Sequence, residues 1–253
     1  MPKHIVIAGP PRTGTRFVTN ALNKHPEVCI QGEVPPSVLD NAIEFVTKTD
    51  AEFRSANYEK WNKTWLKTRT ALFEDMLAAT QKYPDKTNTD RKKVAYTGFK
   101  LPAAVARLKE LEAVYDDVRF VLCVREFVPF HLSCVSRWPK RTIKETSRSY
   151  LEALGHIRDV IDRTDKGFVF PLEHLKTHGA VLLKELGAFL DLPKVDSWVK
   201  LIDPSQKANQ AERFTDKKRT ELTEKERAFV ENTTQMKILY DSIVNTRTYT
   251  QAA

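Results

Sequence analysis

Short apolar runs alternate with helix-like patterns along most of the 253-residue chain. Four runs rich in β-branched and aromatic residues predict buried strands, at residues 4–8, 94–99, 118–124 and 167–170. Between these strands, apolar residues recur every three to four positions, which predicts helices. Because short strands alternate with helices, the pattern predicts an α/β fold with a central parallel sheet and helices on both faces.

Residues 36–80 are mostly polar, with apolar residues at helical spacing, and they predict an inserted helical lobe. The highly charged residues 82–93 predict an exposed loop. We therefore expect one domain over residues 1–253, with a helical insertion and loop at residues 36–93. Predictions for the second half of the chain are amphipathic helices at residues 147–161 and 222–244, and a loop at residues 203–220.

The chain carries excess positive charge, with 41 Lys and Arg residues against 33 Asp and Glu and a net charge of +8. A surplus of this size suits anionic ligands such as nucleotides, sulfated or phosphorylated molecules, acidic glycans or nucleic acid. The basic residues are scattered along the chain, which argues against a nucleic-acid partner. Charge therefore favours an anionic ligand without choosing its chemistry.

Cysteine usage and hydropathy bear on the compartment. The three cysteines, Cys29, Cys123 and Cys134, cannot all pair, and none lies in a CxxC motif. We therefore expect a reducing compartment and no structural zinc. No apolar run approaches the roughly 18 residues that span a membrane, and the N-terminus lacks the layout of a signal peptide. These observations favour a cytoplasmic protein.

The most informative segment is residues 9–17, with the sequence GPPRTGTRF, between the first predicted strand and a helix. A glycine-rich turn in this place directs backbone N–H groups at an anion, at the positive end of the helix dipole. Gly9 and Gly14 have the four-residue gap of a Walker A phosphate loop. The spacing therefore predicts a phosphate-binding loop.

The residues around this loop differ from those of a nucleoside triphosphatase. Thr15 and Arg16 follow Gly14, where a Walker A loop has lysine and then serine or threonine. The strand at residues 118–124 ends in Arg125, where a carboxylate for Mg²⁺ is common. The pattern predicts a site that holds anions through cations and backbone groups, without a metal.

The loop resembles the 5′-phosphosulfate loop of the sulfotransferases, commonly written P-[RK]-S-G-T-[TS]. Thr13 replaces the usual serine, and Arg16 stands where a second Thr or Ser is usual. Phe17 falls where some members carry an aromatic residue that stacks on adenine, although a core aromatic would also suit this position. The loop residues that the resemblance assigns to the donor are Pro11, Arg12, Thr13, Gly14, Thr15 and Arg16.

A second motif strengthens the resemblance. Arg125 is followed eight residues later by Ser133, the spacing at which sulfotransferases bind the 3′-phosphate of 3′-phosphoadenosine-5′-phosphosulfate (PAPS). Arginine offers bidentate contact to phosphate, and serine adds a hydroxyl from the next helix. With both motifs in order, the chain is identified as a member of the PAPS-dependent sulfotransferases. This implies a P-loop-like fold, PAPS as donor, 3′-phosphoadenosine-5′-phosphate (PAP) as product, and no metal.

Three residues are implied in catalysis. Arg12 matches the basic residue of the family loop, and Lys100 lies in an F-K-L-P segment like the family's lysine beside the sulfuryl group. Glu33, in Q-G-E-V-P, resembles the Gly-Glu-Pro base of bacterial and carbohydrate sulfotransferases, with Val34 inserted before the proline. This branch is favoured over the cytosolic small-molecule branch, whose base is a histidine; His131 ranks below Glu33.

Two further segments resemble the family more loosely. The segment 170–175, FPLEHL, resembles its Tyr-Glu-Asp-Leu segment with Leu172 at the tyrosine position, and we interpret it as structural. The basic run 217–219 lies near where the family closes a loop over the 3′-phosphate. Lys218 is therefore a candidate donor contact, although a solvated cluster is the favoured alternative.

The sequence thus predicts sulfuryl transfer from PAPS to an acceptor hydroxyl by in-line displacement. The acceptor is a glycan, lipid or small molecule that the residues do not identify. One alternative is a P-loop kinase acting on a nucleotide or small molecule, against which the missing loop lysine argues. Another is a noncatalytic module that binds a nucleotide or an acidic glycan.

Overall fold

Five strands form one parallel sheet within residues 3–55, 59–79, 94–204 and 219–246, the part of the chain that this computed structural model describes. Their order across the sheet is β2-β3-β1-β4-β5, and every neighbouring pair is parallel. The strands are β1 (Lys3–Ala8), β2 (Val28–Gln31), β3 (Tyr96–Lys100), β4 (Val118–Val124) and β5 (Gly167–Pro171).

The strand β2 is the element that the sequence pattern missed. It has four residues and lies at the edge of the sheet, where Val28 pairs with Tyr96 and Gln31 with Phe99. A run of four residues is too short to show a clear alternation of buried and exposed positions. Its position matters because the segment that carries Glu33 leaves the sheet directly after it.

Helices cover the sheet. The helical prediction for residues 36–80 is confirmed by two long helices, and the one for 147–161 lies within a longer helix. The helices are α1 (Thr15–Leu22), α2 (Pro36–Ser55), α3 (Glu59–Ala79), α4 (Leu108–Val114), α5 (Phe127–Arg137), α6 (Ile143–Arg163), α7 (His174–Phe189), α8 (Val195–Val199), α9 (Glu224–Asn232) and α10 (Gln235–Asn245), with a 3-10 helix at Pro102–Arg107.

The prediction of a single helix at residues 222–244 is wrong, because two helices, α9 and α10, occupy this segment. The backbone of Thr233 leaves the helical region, with φ −123° and ψ 75°, and Thr234 is the N-cap of α10. Threonine side chains lose rotamer freedom in a helix, and two in a row favour such a break. The loops predicted at 82–93 and over most of 203–220 lie outside the described residues.

Alternate residues of each strand pack on opposite faces of the sheet, as the pleat requires. Ile5 and Ile7 join a buried cluster with α1, α7 and α8. Val6 and Ala8 join a second buried cluster with α2 to α6 and α10. A parallel sheet with both faces covered confirms the predicted fold class. Among the described residues, no helix is long and apolar enough to cross a membrane.

Candidate active site at the carboxyl ends of the strands

The sheet order brings the predicted site segments to one edge. Ile7 in β1 pairs with Lys100 in β3, and Ala8 pairs with Leu122 in β4. The carboxyl ends of three adjacent strands therefore carry the predicted site segments. Lys100 ends β3, the loop follows β1, and Arg125 follows β4. In open parallel sheets, this edge is where ligands bind.

The loop after β1 is tightly enclosed. Gly9 and Gly14 have φ of 143° and 96°, which favour glycine. A Cβ on Gly9 would lie 2.2 Å from the carbonyl oxygen of Cys123 in β4. A Cβ on Gly14 would lie 2.7 Å from Cδ1 of Leu172, which follows β5. Both glycines are thus required by close neighbours as well as by the turn.

Thr13 holds the loop closed from inside. Its side chain is fully buried, and Oγ1 donates a hydrogen bond of 2.7 Å to the carbonyl oxygen of Pro10. Helix α1 then begins at Thr15, after Gly14. Because the first N–H groups of a helix have no partner inside it, this end of α1 offers donors to an anion. The conservative change from serine to threonine preserves the hydroxyl that closes the loop.

The two predicted anion motifs meet through Arg12. Its backbone has φ of 75°, unusual for a residue with a side chain, and its Nε donates to Oγ of Ser133 at 3.0 Å. Arg125 in turn donates from Nη1 to the carbonyl oxygen of Arg12 at 3.2 Å. The resemblance had placed Arg12 beside the phosphosulfate, whereas here its side chain lies with the residues expected at the 3′-phosphate.

Two guanidinium groups are therefore partly buried side by side. Burial, and to a lesser extent the charge of Arg125, lowers the pKa of Arg12, and burial also lowers the pKa of Arg125. Arginine nevertheless stays protonated in proteins, so both charges persist. Nε of Arg125 is buried and makes no hydrogen bond within the described residues. Oε1 of Glu173 lies 3.6 Å from this Nε, so the atom faces a carboxylate of the protein as an ion-pair partner without a hydrogen bond.

Glu33 and Lys100, the predicted base and second cation, form an ion pair. Lys100 ends β3 with its side chain largely buried, while the Glu33 side chain is 55% exposed on the segment after β2. Burial raises the pKa of the neighbouring Cys123 thiol, and the charge of Lys100 opposes this rise. The pair is therefore open to solvent on the carboxylate side and buried on the ammonium side.

Sequence reasoning missed Glu173 and two tyrosines around Arg125. Oε1 of Glu173 lies 3.6 Å from Nε of Arg125, and Oε2 accepts a hydrogen bond of 3.2 Å from the Tyr240 hydroxyl. The Tyr150 hydroxyl donates to the carbonyl oxygen of Arg125 at 2.6 Å. Glu173 follows β5 and Arg125 follows β4, so their contact depends on the order of the strands in the sheet. No local signal pointed to Tyr240.

Phe17 and Arg16 differ in their surroundings. Phe17 is 8% exposed in the core beneath the loop, with its ring centroid 6.4 Å from that of Phe170. This packing leaves the expected adenine contact without support. Arg16 is exposed on the first turn of α1, and no ion pair links it to another described residue.

His131 is fully buried, with Nδ1 2.7 Å from Thr146 Oγ1 and Nε2 3.1 Å from Glu226 Oε1. Burial lowers its pKa, and its surroundings are those of a structural histidine. Lys218 lies outside the described residues. Its neighbour Arg219 is ion-paired with Glu226 and donates from its backbone to Ser136 Oγ at 3.0 Å.

Comparisons with known proteins agree with this architecture. The solved sulfotransferase from Alicyclobacillus acidocaldarius is 13% identical, with a TM-score of 0.56 over 97% of this chain and 96% of that one. The sulfotransferase domain of the Synechococcus PCC 7002 olefin synthase is 15% identical, with a TM-score of 0.51 over 100% of this chain and 90% of that one. At such identities these similarities concern the fold.

Sequence comparison adds the family. No curated protein matches the chain by sequence. A family model described as "Sulfotransferase family" matches residues 2–186, which include the loop after β1, Lys100, Arg125 and Ser133. Because this match covers well over half of the chain, the protein belongs to the sulfotransferase family.

Proposed function

We propose that this sulfotransferase takes its sulfuryl group from PAPS and transfers it to an acceptor hydroxyl by in-line displacement. The observation that carries the proposal is the convergence of Arg12, Ser133 and Arg125 beside the loop after β1. Two guanidinium groups and a hydroxyl suit a phosphate that bears two negative charges. That feature distinguishes the 3′-phosphate of PAPS from an ordinary adenosine 3′-hydroxyl.

The loop and α1 would hold the other end of the donor. The loop residues 11–16 lead into the first turn of α1, whose free N–H groups would face the 5′-phosphosulfate. Thr13 shapes this loop by its bond to Pro10, and Gly14 allows its close approach to Leu172. Backbone donors fixed in this way lower the cost of ordering the site around an anion.

PAPS, when bound, supplies an activated sulfuryl group joined to phosphate through a bridging oxygen. In the proposed reaction, the acceptor oxygen forms a bond to sulfur while the bond from sulfur to the bridging oxygen breaks. Lys100 would stabilise the negative charge on the sulfuryl and bridging oxygens. Glu33 would accept the proton from the acceptor hydroxyl, and its exposed carboxylate can be reached by a substrate from solvent.

The same residues bear on metal and compartment. The proposed chemistry uses cations of the chain at the positions where a kinase would hold phosphates and Mg²⁺, with Arg125 at the end of β4. Among the described residues, no group of three or more His, Cys, Asp and Glu side chains is arranged to hold a metal ion. The three cysteines are buried and no disulfide joins them, which suits a reducing compartment such as the cytoplasm.

The acceptor is proposed to be a glycan, a lipid or a small molecule with a hydroxyl group. The carboxylate of Glu33 precedes Val34 and the start of α2 at Pro36, so this segment and α2 would border the acceptor.

The test is transfer from ³⁵S-labelled PAPS to a panel of glycans, lipid alcohols and phenols, with PAP release measured in parallel. Glu33→Gln should reduce turnover by about a hundredfold or more while PAP binding is retained. The exposed Glu27, which directly precedes β2, provides the control Glu27→Gln, which should leave turnover unchanged. PAP binding without transfer to any acceptor would support a noncatalytic module, and Mg²⁺-dependent phosphate transfer from ATP would support a kinase.

A further inference from the structure

The backbone of Arg125 is fixed from α6. Tyr150 is fully buried, and its hydroxyl donates to the carbonyl oxygen of Arg125 at 2.6 Å. Arg125 follows β4 directly and precedes α5, so this bond holds the turn between the two elements. The backbone that carries the Arg125 side chain is therefore fixed at the edge of the sheet.

Two groups among the described residues contact the guanidinium of Arg125. Nη1 donates to the carbonyl oxygen of Arg12, while Nε lies 3.6 Å from Oε1 of Glu173. The backbone N–H of Leu172 donates to the carbonyl oxygen of Val124 at 3.0 Å, which extends the pairing of β4 and β5 by one step. This pairing places Glu173 beside Arg125 through the main chain.

Glu173 is itself held by α10. Its Oε2 accepts a hydrogen bond from Tyr240 in α10, and the Tyr240 ring is buried. Burial raises the pKa of Glu173 and that of Tyr240 as well, as expected for polar groups at a site with little water. The hydrogen bond to Tyr240 leaves Oε1 directed at Arg125.

Tyr240 comes from a part of the chain beyond the family match, which ends at residue 186. A group outside the family core thus contacts the carboxylate that contacts Arg125. Helix α10 also packs against α6, which carries Tyr150. Helix α10 therefore contacts Glu173 through Tyr240 and packs on the helix that carries Tyr150.

We propose that Glu173 and Tyr240 are positioning residues that orient the Arg125 guanidinium, and that they thereby set how strongly the protein prefers a 3′-phosphate to a 3′-hydroxyl. The inference rests on the proposed function. Arginine recognises phosphate through fixed, fork-like geometry, so an unrestrained side chain loses part of this selectivity. Glu173 also carries negative charge. A carboxylate that only competed with phosphate for Arg125 would instead weaken the preference for a 3′-phosphate.

The test is calorimetric titration with PAP and with adenosine 5′-monophosphate (AMP), which lacks the 3′-phosphate. The measured quantity is the ratio of the AMP dissociation constant to the PAP dissociation constant. Glu173→Gln should lower this ratio by about tenfold and Tyr240→Phe by about threefold, with AMP affinity nearly unchanged. A general loss of structure would weaken both ligands together, so the ratio separates positioning from folding.

Two control variants match these changes away from the site. Glu112 is ion-paired with Arg163 and Lys166, and the Tyr96 hydroxyl donates to the carbonyl oxygen of Asp191 at 2.7 Å. Glu112→Gln and Tyr96→Phe should keep the wild-type ratio.

The outcomes of this experiment separate the two proposals. The positioning role alone is overturned if the wild type prefers PAP and the ratio is unchanged or higher in both Glu173→Gln and Tyr240→Phe. A wild type with no preference for PAP overturns the proposed function and this inference with it. Tyr240→Phe keeps the aromatic ring in the core, so it supplies the answer if Glu173→Gln does not fold.

Discussion

Arg12 and Ser133, which are 121 residues apart in sequence, are joined by a hydrogen bond of 3.0 Å from Nε to Oγ. The first residue belongs to the loop after β1, and the second lies on α5, which follows β4. Because β1 and β4 are neighbours in the sheet, the two motifs that we predict to bind anions lie side by side. The loop arginine thereby becomes part of the region that we assign to the 3′-phosphate.

Ser133→Ala removes the acceptor for Arg12 Nε and a hydroxyl that could donate to phosphate. We expect PAP to bind about tenfold more weakly, with a smaller change for AMP. Calorimetric titration of both ligands measures this. Ser149 on α6 bonds to the carbonyl oxygen of Thr146 and provides the control Ser149→Ala. Equal losses for PAP and AMP would instead place Ser133 with the 5′ end of the donor.

Arg125→Lys keeps a positive charge but loses the planar fork and the Nη1 bond to Arg12. We expect PAP affinity to fall by about tenfold or more, while turnover at saturating PAPS changes less. Steady-state kinetics with PAPS, which give KM and kcat separately for the wild type and the variant, measure the difference. Arg148 is exposed on α6, so Arg148→Lys should behave as wild type. A fall in kcat alone would assign Arg125 to the chemical step.

Gly14→Ala adds a Cβ at φ 96° and 2.7 Å from Leu172 Cδ1. The left-handed backbone alone costs about 1 kcal/mol or more in an alanine, and the contact adds to this. Thermal unfolding should show a clear loss of stability. Adding Leu172→Ala relieves the contact, so the double-mutant cycle should give a favourable coupling of about 1 kcal/mol. Strictly additive effects would show that Leu172 moves aside without cost.

Protonation of Glu226 should contribute to the loss of stability at low pH. Burial opposes its ionisation, but hydrogen bonds from Arg219, Thr223 and His131 outweigh burial and lower its pKa to about 2. A carboxylate whose pKa is lower in the folded state stabilises the fold above its ordinary pKa, and this contribution is lost as pH falls toward 2. The Tm difference between wild type and Glu226→Gln should therefore shrink between about pH 4.5 and pH 2. A difference that is constant over this range would contradict the lowered pKa.

Much of the fold could be predicted because the parallel strands are short, apolar and buried. The run at residues 118–124 coincides with β4. From Phe120 onward, its side chains alternate between the two buried clusters on opposite faces of the sheet. Strand β2 has only four residues, and the break at Thr233 is a local backbone change inside an otherwise helical pattern. Neither leaves a clear periodic signal.

The site shows the same division. Lys100 and Arg125 could be predicted because each directly follows an apolar run, and strand ends meet at one edge of a parallel sheet. The contact of Glu173 with Arg125 depends on β5 lying next to β4, which is a property of the sheet order. Tyr240 reaches the site only because α10 returns across α6. Such contacts follow from tertiary packing, which local patterns do not contain.

Calorimetric titration of the wild-type protein with PAP, AMP and ATP, in EDTA and then with Mg²⁺, would show most directly whether PAPS is the donor. We expect PAP to bind at least about tenfold more tightly than AMP or ATP in EDTA, because its 3′-phosphate would engage Arg125 and Ser133. Mg²⁺ should not be needed. Equal affinity for PAP and AMP, or tight ATP binding that appears only with Mg²⁺, would contradict PAPS as the donor.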